Sequence, residues 1–120
     1  MPEASKKSII VRKGFESNLI LYPITEFQNI YTRINSLNEF SSEQRKLKRN
    51  LFSGIFQVDF DSNGRFLIPK NMISHCGIEK EVILIGVGNI IELWNPMTYK
   101  NNLIKDSKEF SSLAQKYLDI

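Results

Sequence analysis

Residues 58–76 constrain the fold more than any other part of the chain, because they combine a tight turn, two short apolar segments and a helix start. Asn63-Gly64 is a strong hairpin signal, since both central residues of a type I′ turn need φ > 0, which Gly and Asn adopt at low cost. Apolar residues alternate with others in segments 56–60 and 66–68, which predicts a strand on each side of the turn. Pro69 then ends the second strand and opens a helix. The sequence therefore predicts a compact strand–turn–strand–helix unit.

An internal repeat relates two segments of the chain. Tyr22 and Trp94 lie 72 positions apart, and three further pairs share this offset: Leu21 and Leu93, Gly14 and Gly86, Phe27 and Tyr99. Each copy predicts strand, turn, strand and helix, over 8–12, 14–18 and 19–22 in the first and 82–85, 86–89 and 90–94 in the second. At the same offset, the counterpart of the 61–69 hairpin falls before Met1. We therefore expect an earlier native start or a truncation.

The remaining pattern predicts helices at about 23–35, 42–52 and 70–76, and a weaker helical stretch after Met97. Ser41 and Gln44 form a candidate capping box, and Leu47 and Leu51 at i, i+4 are expected to face the core. The first helix carries an apolar stripe that is typical of a core or a subunit interface: Ile24, Phe27, Ile30, Tyr31 and Ile34. Together these elements predict a mixed α+β domain. The C-terminal stretch is either a partly ordered appendage or an oligomer contact.

Composition places the chain among ordinary globular domains. Its 120 residues are 42% hydrophobic and 24% charged, which is enough for one domain with a single core. No apolar run approaches the ~18 residues of a membrane span, and the first residues lack the basic-then-apolar order of a signal peptide. The single cysteine, Cys76, agrees with a reducing compartment. We therefore expect a cytoplasmic protein that does not enter a membrane.

Positive charge is clustered rather than large in total. The net charge is +3, which permits an acidic partner without requiring one. One basic cluster lies in the second predicted helix, and another lies near the start of the chain: Arg45, Lys46, Lys48, Arg49; Lys6, Lys7, Arg12, Lys13. Such clusters either contact nucleic-acid phosphates or form a solvated helix face, and the sequence leaves both interpretations open.

The sequence offers no constellation typical of an enzyme. His75 and Cys76 are adjacent, so on a helix their side chains point about 100° apart and do not form a catalytic pair. No further His or Cys is present to complete a zinc site. Gly86-Val87-Gly88 begins like a dinucleotide fingerprint, but Ile91 replaces the third glycine and a strand follows instead of a helix. We expect no catalytic residue, metal, cofactor or small-molecule substrate.

Two motifs carry a resemblance to a known family. Residues 61–69, Asp-Ser-Asn-Gly-Arg-Phe-Leu-Ile-Pro, fit any AbrB-like DNA-binding hairpin. Residues 82–94, with their Gly-Val-Gly-Asn turn and Glu-Leu-Trp ending, narrow the match to the MraZ family of bacterial transcription regulators. The resemblance covers roughly residues 8–99. It implies tandem AbrB-like repeats, with an incomplete first repeat in 1–40, a connecting basic helix in 41–53, a complete second repeat in 54–99 and a helical tail in 100–120.

The resemblance also implies a function. MraZ-like proteins resemble ring-forming homo-oligomers that bind repeated boxes of double-stranded DNA upstream of the division and cell-wall gene cluster. They repress or tune that cluster, in the cytoplasm at the nucleoid. Members of the family carry an Asp-x-x-x-Arg motif in each of two units, whereas this sequence holds it once, at 61–65. A second interpretation therefore stands beside the first: an oligomerisation or interaction module that has lost DNA binding with its first hairpin.

The tip of the 58–76 unit has two interpretations of its own. In one, Asp61 accepts backbone N–H groups in the turn and Arg65 reaches back to it, as a local structural pair. In the other, which the resemblance implies, Asp61 orders the loop and Arg65 is presented to DNA. The predicted DNA-binding residues are Arg65, Asp61, Asn63, Lys70, Arg45, Lys46, Arg49, Arg12 and Lys13.

Overall fold

The computed structural model describes residues 8–120, which form five strands and five helices. The strands are β1 (Ser8–Lys13), β2 (Asn18–Pro23), β3 (Ile55–Asp59), β4 (Ile83–Val87) and β5 (Ile90–Trp94). The helices are α1 (Ile24–Asn35), α2 (Ser42–Ser53), α3 (Lys70–Cys76), α4 (Pro96–Asn101) and α5 (Ser107–Leu118). This content confirms the predicted α+β class. Lys6 and Lys7 of the predicted basic cluster lie outside the described residues.

All five strands form one antiparallel sheet in the order β3-β1-β2-β5-β4. Residues 14–17 connect β1 to β2, and a two-residue turn, Gly88-Asn89, connects β4 to β5. Gly88 has φ of 65°, a left-handed value that glycine adopts without strain. Strands of both sequence copies therefore share one sheet, while the proposed division of the chain into repeats stays a prediction.

The pairing at the centre of the sheet follows the 72-residue offset. Ile20 of β2 lies opposite Glu92 of β5, its own counterpart at that offset. An approximate two-fold axis through this pair therefore exchanges β2 with β5, and with them β1 with β4. β3 breaks the symmetry, because it pairs with the outer edge of β1 while the outer edge of β4 has no partner strand among residues 8–120.

Each face of the sheet carries its own apolar cluster. On one face, α3 covers the sheet through the buried side chains of Met72 and Cys76, and β3 adds Val58. On the other face, α1 places Phe27 and Ile30 against the even-numbered residues of β1 and β2. The first cluster consists of Val11, Leu19, Leu21, Val58, Met72, Cys76 and Leu93. The continuous burial of β2 from Asn18 to Tyr22 thus comes from helices on both sides of the sheet.

The 58–76 unit differs from its prediction in two respects. Residues 66–68 are not a strand, and β3 pairs with β1 but not with the segment that follows the turn. The turn is also not type I′: Gly64 has φ of 76°, but Asn63 does not have positive φ. The Gly64 amide donates to the Asp61 carbonyl over 3.0 Å, and the Asp61 amide donates to the Arg65 carbonyl over 2.7 Å. This pattern is typical of a three-residue loop that ends in a left-handed glycine.

Helix α2 begins as predicted but packs less deeply than predicted. The Ser41 hydroxyl accepts the Gln44 amide N–H at 3.3 Å, whereas the Gln44 side-chain oxygen accepts the Asn38 N–H, so only half of the capping box forms. Leu47 is 46% exposed, and the expectation that it faces the core is wrong. α2 contacts the rest of the domain chiefly through Phe52, whose ring centroid lies 5.5 Å from that of Tyr31. A helix held mainly at one end leaves the rest of its surface in solvent.

None of the helices within residues 8–120 has the length and apolar character needed to cross a bilayer.

Candidate nucleic-acid interface

The tip of the loop after β3 is organised by one carboxylate. Oδ1 of Asp61 accepts the backbone N–H of Asn63 at 2.9 Å and that of Arg65 at 2.8 Å, while Oδ2 lies 3.3 Å from Nε of Arg65. These contacts, with the Arg65 N–H foremost, lower the pKa of the Asp61 carboxyl below its ordinary value, against an opposing effect of burial. Asp61 therefore stays ionised and fixes the loop at neutral pH.

Arg65 is the exposed group of this tip. Its side chain is 75% exposed and that of Asp61 is 48% exposed, so their ion pair contributes little to stability. Only Nε of Arg65 binds Asp61, and among residues 8–120 the two terminal nitrogens make no hydrogen bond. The structural pair that the sequence predicted is present. It also leaves the donor fork of the guanidinium pointing away from the protein.

An aromatic pair anchors the tip in place of the predicted strand ladder. The rings of Phe60 and Phe66 meet edge to face, with centroids 5.1 Å apart and an interplanar angle of 89°. Phe66 and Ile68 also pack against the apolar cluster under α3. The returning arm is thus held by side chains, which fix the direction in which Arg65 leaves the body of the protein.

Sequence reasoning missed Leu67, which is 87% exposed beside Arg65. Its neighbours Phe66 and Ile68 alternate inward, so Leu67 must point outward. The alternation of this segment was visible in the sequence, but a leucine between two apolar residues gave no sign of exposure. An apolar side chain next to an arginine suits a base edge that carries a methyl group, as thymine does.

Asn63 and Lys70 lie close to the tip in the chain and are exposed. Asn63 contributes its backbone N–H to the loop, and Lys70 is the first residue of α3. Two carboxylates, Asp59 and Asp61, share the surface around Arg65. The electrostatic attraction of one tip for DNA therefore depends on few cations.

Arg12 and Lys13 lie far from the tip. Asp59 pairs with Ser8 at one end of the β1–β3 ladder, and Arg12 pairs with Ile55 at the other, about 13 Å away at ~3.3 Å per residue. Nε of Arg12 donates to the Tyr22 hydroxyl at 2.9 Å, and its guanidinium lies 5.2 Å from the Phe15 ring centroid. Arg12 is therefore largely engaged within the protein.

The basic residues of α2 are on the same side of the molecule as Arg12, because α2 leads directly into the start of β3. Nη1 of Arg45 donates to the Glu39 carbonyl at 2.8 Å, whereas Lys46 and Arg49 are exposed. The structure thus divides the predicted DNA-binding residues into two groups: the tip residues, and a basic end with Arg12, Lys13, Arg45, Lys46 and Arg49.

His75 and Cys76 each contact the protein itself. Nε2 of His75 lies 3.0 Å from the Glu16 carbonyl oxygen, and Cys76 is buried in the core. Burial raises the pKa of the Cys76 thiol to about 11. Residues 8–120 also contain no group of three metal-ligating side chains close enough to hold an ion.

Comparison with known proteins assigns the family. The family described as "MraZ protein, putative antitoxin-like" matches residues 51–119. A protein of Cytophaga hutchinsonii named transcriptional regulator MraZ is 47% identical over 118 residues, which is 98% of this chain and 78% of that relative. The chain belongs to the MraZ family. The protein of Christiangramia forsetii named transcriptional regulator MraZ is 36% identical over 92% of this chain. The one of Pediococcus pentosaceus is 29% identical over 93% of this chain.

Membership of the MraZ family confirms the resemblance seen in residues 61–69 and 82–94. Its members are named transcriptional regulators, which also confirms the prediction of a non-enzymatic protein. The matched region contains the whole tip, α3 and both strands of the β4–β5 hairpin.

Proposed function

We propose that this chain is a sequence-specific DNA-binding transcription regulator that contacts DNA through the tip around Arg65. The observation that carries the proposal is an exposed arginine whose backbone and Nε are fixed by one carboxylate, in a chain whose relatives are named transcriptional regulators. Preorganisation matters because a side chain already held in place loses less conformational entropy on binding. The family supports a transcription regulator, and the geometry supports Arg65 as its contact with DNA.

The free terminal nitrogens of Arg65 fit two kinds of acceptor. They donate either to O6 and N7 of a guanine in the major groove or to the oxygens of a phosphate. Leu67 lies beside them and adds an apolar contact suited to a thymine methyl group. Guanine recognition with a neighbouring thymine contact gives sequence preference, whereas phosphate binding alone gives none.

A single tip is too small and too acidic to bind DNA tightly. Specific protein–DNA interfaces bury at least ~600 Å² of protein surface even for small modules, and Asp59 lies beside Arg65. We propose that the chain acts as a homo-oligomer, so that several tips engage repeated boxes at once and each later contact becomes intramolecular. The proposed target is the promoter region of the division and cell-wall gene cluster. We propose that the protein represses this cluster and that it is located in the cytoplasm, at the nucleoid.

The test is fluorescence anisotropy of a labelled duplex taken from the upstream region of the protein's own gene, at two salt concentrations and with scrambled competitor. Loss of one bidentate guanine contact costs about 1–3 kcal/mol, so Arg65→Ala should weaken specific binding by roughly 5- to 150-fold per engaged tip. The matched control is Arg33→Ala, an exposed arginine in the last turn of α1, which should bind like the wild type. Equal affinities for Arg65→Ala and the wild type would refute the assignment.

Two further variants separate the roles of the tip residues. Arg65→Lys keeps the charge but loses the planar fork, so it should bind nearly normally if the acceptor is phosphate and poorly if it is guanine. Asp61→Asn keeps an oxygen for both N–H groups and removes a negative charge, so it should retain or gain affinity, whereas Asp61→Ala should lose affinity as the loop loosens.

The alternative function is an oligomerisation or interaction module without DNA binding. The carboxylates of Asp59 and Asp61 beside Arg65 favour it, because they weaken the attraction of the tip for phosphate. No competitor-resistant binding at either salt concentration, with assembly intact by light scattering, would support this alternative and refute the regulator.

A further inference from the structure

A polar cavity of about 490 Å³, the basic-end cleft, lies at the basic end of the molecule, away from the tip. The end of β1, the link from α2 to β3, and α3 form its walls. Its lining includes Arg12, Lys13, Asn50, Asn71 and His75. β3 and α3 complete this half of the sheet, so the cleft is bounded by elements that the structure describes. A cavity of this volume accommodates a small molecule rather than a single ion.

The side chains around the basic-end cleft carry positive charge without a matching negative charge. Arg12 and Lys13 are cationic, and no carboxylate within residues 8–120 lines the cleft. The tip differs, since Asp59 and Asp61 share the surface around Arg65. Unmatched cations in a concave site concentrate positive potential, which favours an anionic ligand.

Arg12 is held in place by the protein before any ligand binds. Its Nε donates to the Tyr22 hydroxyl at 2.9 Å, and its Nη1 donates to the Lys13 carbonyl at 3.0 Å. The guanidinium also lies 5.2 Å from the Phe15 ring centroid. Among residues 8–120 the second terminal nitrogen, Nη2, makes no hydrogen bond, so its two N–H groups remain as donors. A cation fixed in this way loses little conformational entropy when it binds an anion.

The sheet itself does not require a cation at the place of Arg12. Arg12 of β1 lies opposite Ile20 of β2, and at the equivalent place about the approximate two-fold axis Ile85 of β4 lies opposite Glu92 of β5. The same position of the fold therefore takes an isoleucine in the other half. Strand pairing accounts neither for the arginine nor for its remaining donors.

The C-terminal end of α2 borders the cleft with its carbonyl groups occupied. Carbonyl groups at a helix end carry partial negative charge, which repels anions. Here the Asn50 carbonyl accepts the Ser53 hydroxyl at 3.0 Å. The Leu51 carbonyl accepts the Gly54 N–H at 3.2 Å. The Asn50 side-chain N–H donates to the Lys46 carbonyl at 3.0 Å, which leaves its Oδ1 as an acceptor for a ligand hydroxyl.

His75 and Asn71 of α3 add polar groups suited to hydroxyls. Nε2 of His75 lies 3.0 Å from the Glu16 carbonyl oxygen, which only accepts hydrogen bonds, so Nε2 carries the hydrogen. In the neutral ring Nδ1 is then an acceptor. The Asn71 side chain is exposed and makes no hydrogen bond within residues 8–120, so its amide offers both donors and an acceptor.

We propose that the basic-end cleft binds a small phosphate monoester that carries hydroxyl groups, of the sugar-phosphate class. Arg12 and Lys13 bind the phosphate oxygens, and the polar groups of Asn50, Asn71 and His75 bind the hydroxyls. A phosphate monoester carries about two negative charges at neutral pH, which match the two cations. The phosphodiesters of DNA share this chemistry but carry one negative charge each.

The site goes beyond the proposed DNA contact and does not depend on it. The cleft and the tip lie at opposite ends of the β1–β3 ladder. Arg65→Ala should therefore bind a sugar phosphate like the wild type, so that failure of DNA binding and failure of this site are separate observations.

The experiment is isothermal titration calorimetry of the full chain with ribose 5-phosphate, inorganic phosphate and ribose at equal ionic strength. Ribose 5-phosphate should bind once per chain and about tenfold more tightly than inorganic phosphate, because its hydroxyls add hydrogen bonds. Ribose alone should give no binding heat. Absence of ribose 5-phosphate binding, or equal affinity for inorganic phosphate, would overturn the proposal.

Variants locate the bound probe. Lys13→Gln removes one exposed cation, and Asn71→Asp adds a negative charge in the first turn of α3, where a helix tolerates it. Each should raise the Kd for ribose 5-phosphate by about fivefold, with circular dichroism as the folding check. The matched controls are Lys108→Gln in α5 and Asn101→Asp in α4, which lie outside the cleft and should bind like the wild type. Unchanged affinity in Lys13→Gln and Asn71→Asp would place the probe elsewhere and overturn the assignment.

Competition distinguishes the two sources of phosphate. Scrambled duplex DNA should not displace ribose 5-phosphate from the Arg65→Ala variant, in which the proposed tip contact is absent. Displacement by the duplex would mean that the cleft takes backbone phosphates of DNA, and it would overturn the proposal of a small-molecule site.

Discussion

Replacing Val11 and Leu84 separately with alanine tests whether the two halves of the sheet are as unequal as the structure indicates. The two residues occupy equivalent places about the approximate two-fold axis, yet Val11 is 0% exposed and Leu84 is 57% exposed. Side-chain size alone predicts that the leucine substitution lowers the free energy of unfolding more, because it removes three carbons and the valine substitution removes two. The structure predicts the reverse order.

The magnitudes follow from burial. For Val11→Ala, two buried carbons at about 0.8 kcal/mol each, with a cavity penalty in a closed cluster, lower the free energy of unfolding by about 2–3 kcal/mol. For Leu84→Ala, three carbons are lost, but only about two-fifths of the side chain is buried, so the transfer free energy is reduced to that fraction. No closed cavity forms at this exposed position. The expected loss is about 1 kcal/mol. The difference of at least ~1 kcal/mol is within reach of denaturant unfolding.

The measurement is urea unfolding followed by far-UV circular dichroism. The slope of free energy against urea should be the same in both variants, so that the midpoints report stability directly. A Leu84→Ala loss equal to or above that of Val11→Ala would refute the assignment of an open β4 half.

Three further predictions concern single positions. Gly14→Ala should lower the free energy of unfolding by about 1–3 kcal/mol in thermal melts, because a Cβ there would overlap the buried Asn18 side-chain oxygen. The control is Gly54→Ala, whose Cβ meets its nearest atom at 3.7 Å and which should therefore lower the free energy of unfolding less. The Cys76 thiol, with its pKa raised to about 11, should react slowly with thiol reagents at pH 8, and stability should fall from pH 9.0 toward 11 because the unfolded thiol ionises first; a Cys76→Ala variant should lose this part of the pH dependence. Because the pKa of Asp61 is lowered, the contribution of its carboxylate to loop order should be present above pH 3.8 and lost as the pH falls through the folded-state pKa. An NMR titration of the Asp61 carboxyl carbon should place that folded-state pKa below 3.8.

Much of the local structure was predictable because proline and glycine residues mark where its helices, strands and turns begin and end. Pro69 and the left-handed Gly77 bound α3, and the predicted range 70–76 matches Lys70–Cys76. The range 90–94 likewise matches β5, which begins directly after the Gly88-Asn89 turn. Such signals act within a few residues and so are readable without knowledge of the rest of the fold.

Errors arose where distant residues decide the outcome. Alternation in 66–68 suggested a strand, but β3 takes its hydrogen bonds from β1, which lies more than forty positions earlier, and the returning arm is held by Phe60 and Phe66 instead. Leu47 was expected inside because of its helical spacing, but α2 packs at its C-terminal end only. Periodicity shows which face of an element is apolar, not whether another element reaches that face.

In the candidate site, too, the local contacts were predictable from the sequence and the arrangement set by distant residues was not. The Asp61–Arg65 pair was predictable from spacing, because a carboxylate at the start of a tight turn binds the N–H groups that follow it. The separation of the basic end from the tip was not predictable, since it depends on the antiparallel pairing of β3 with β1. Net charge in a sequence thus overstated how many cations act together.

The open half of the sheet and the single tip are two consequences of one asymmetry. The 55–76 segment supplies an edge strand, a helix and an exposed arginine to one side of an approximately two-fold sheet, and residues 8–120 supply none of these to the other side. The open side leaves apolar surface in water, and the single tip leaves DNA contact too small. The homo-oligomer proposed above offers a remedy for the single tip, because each further copy adds one tip to the contact with DNA. On this reasoning, variants that lose assembly should lose DNA affinity in proportion to that loss, with each isolated tip unchanged.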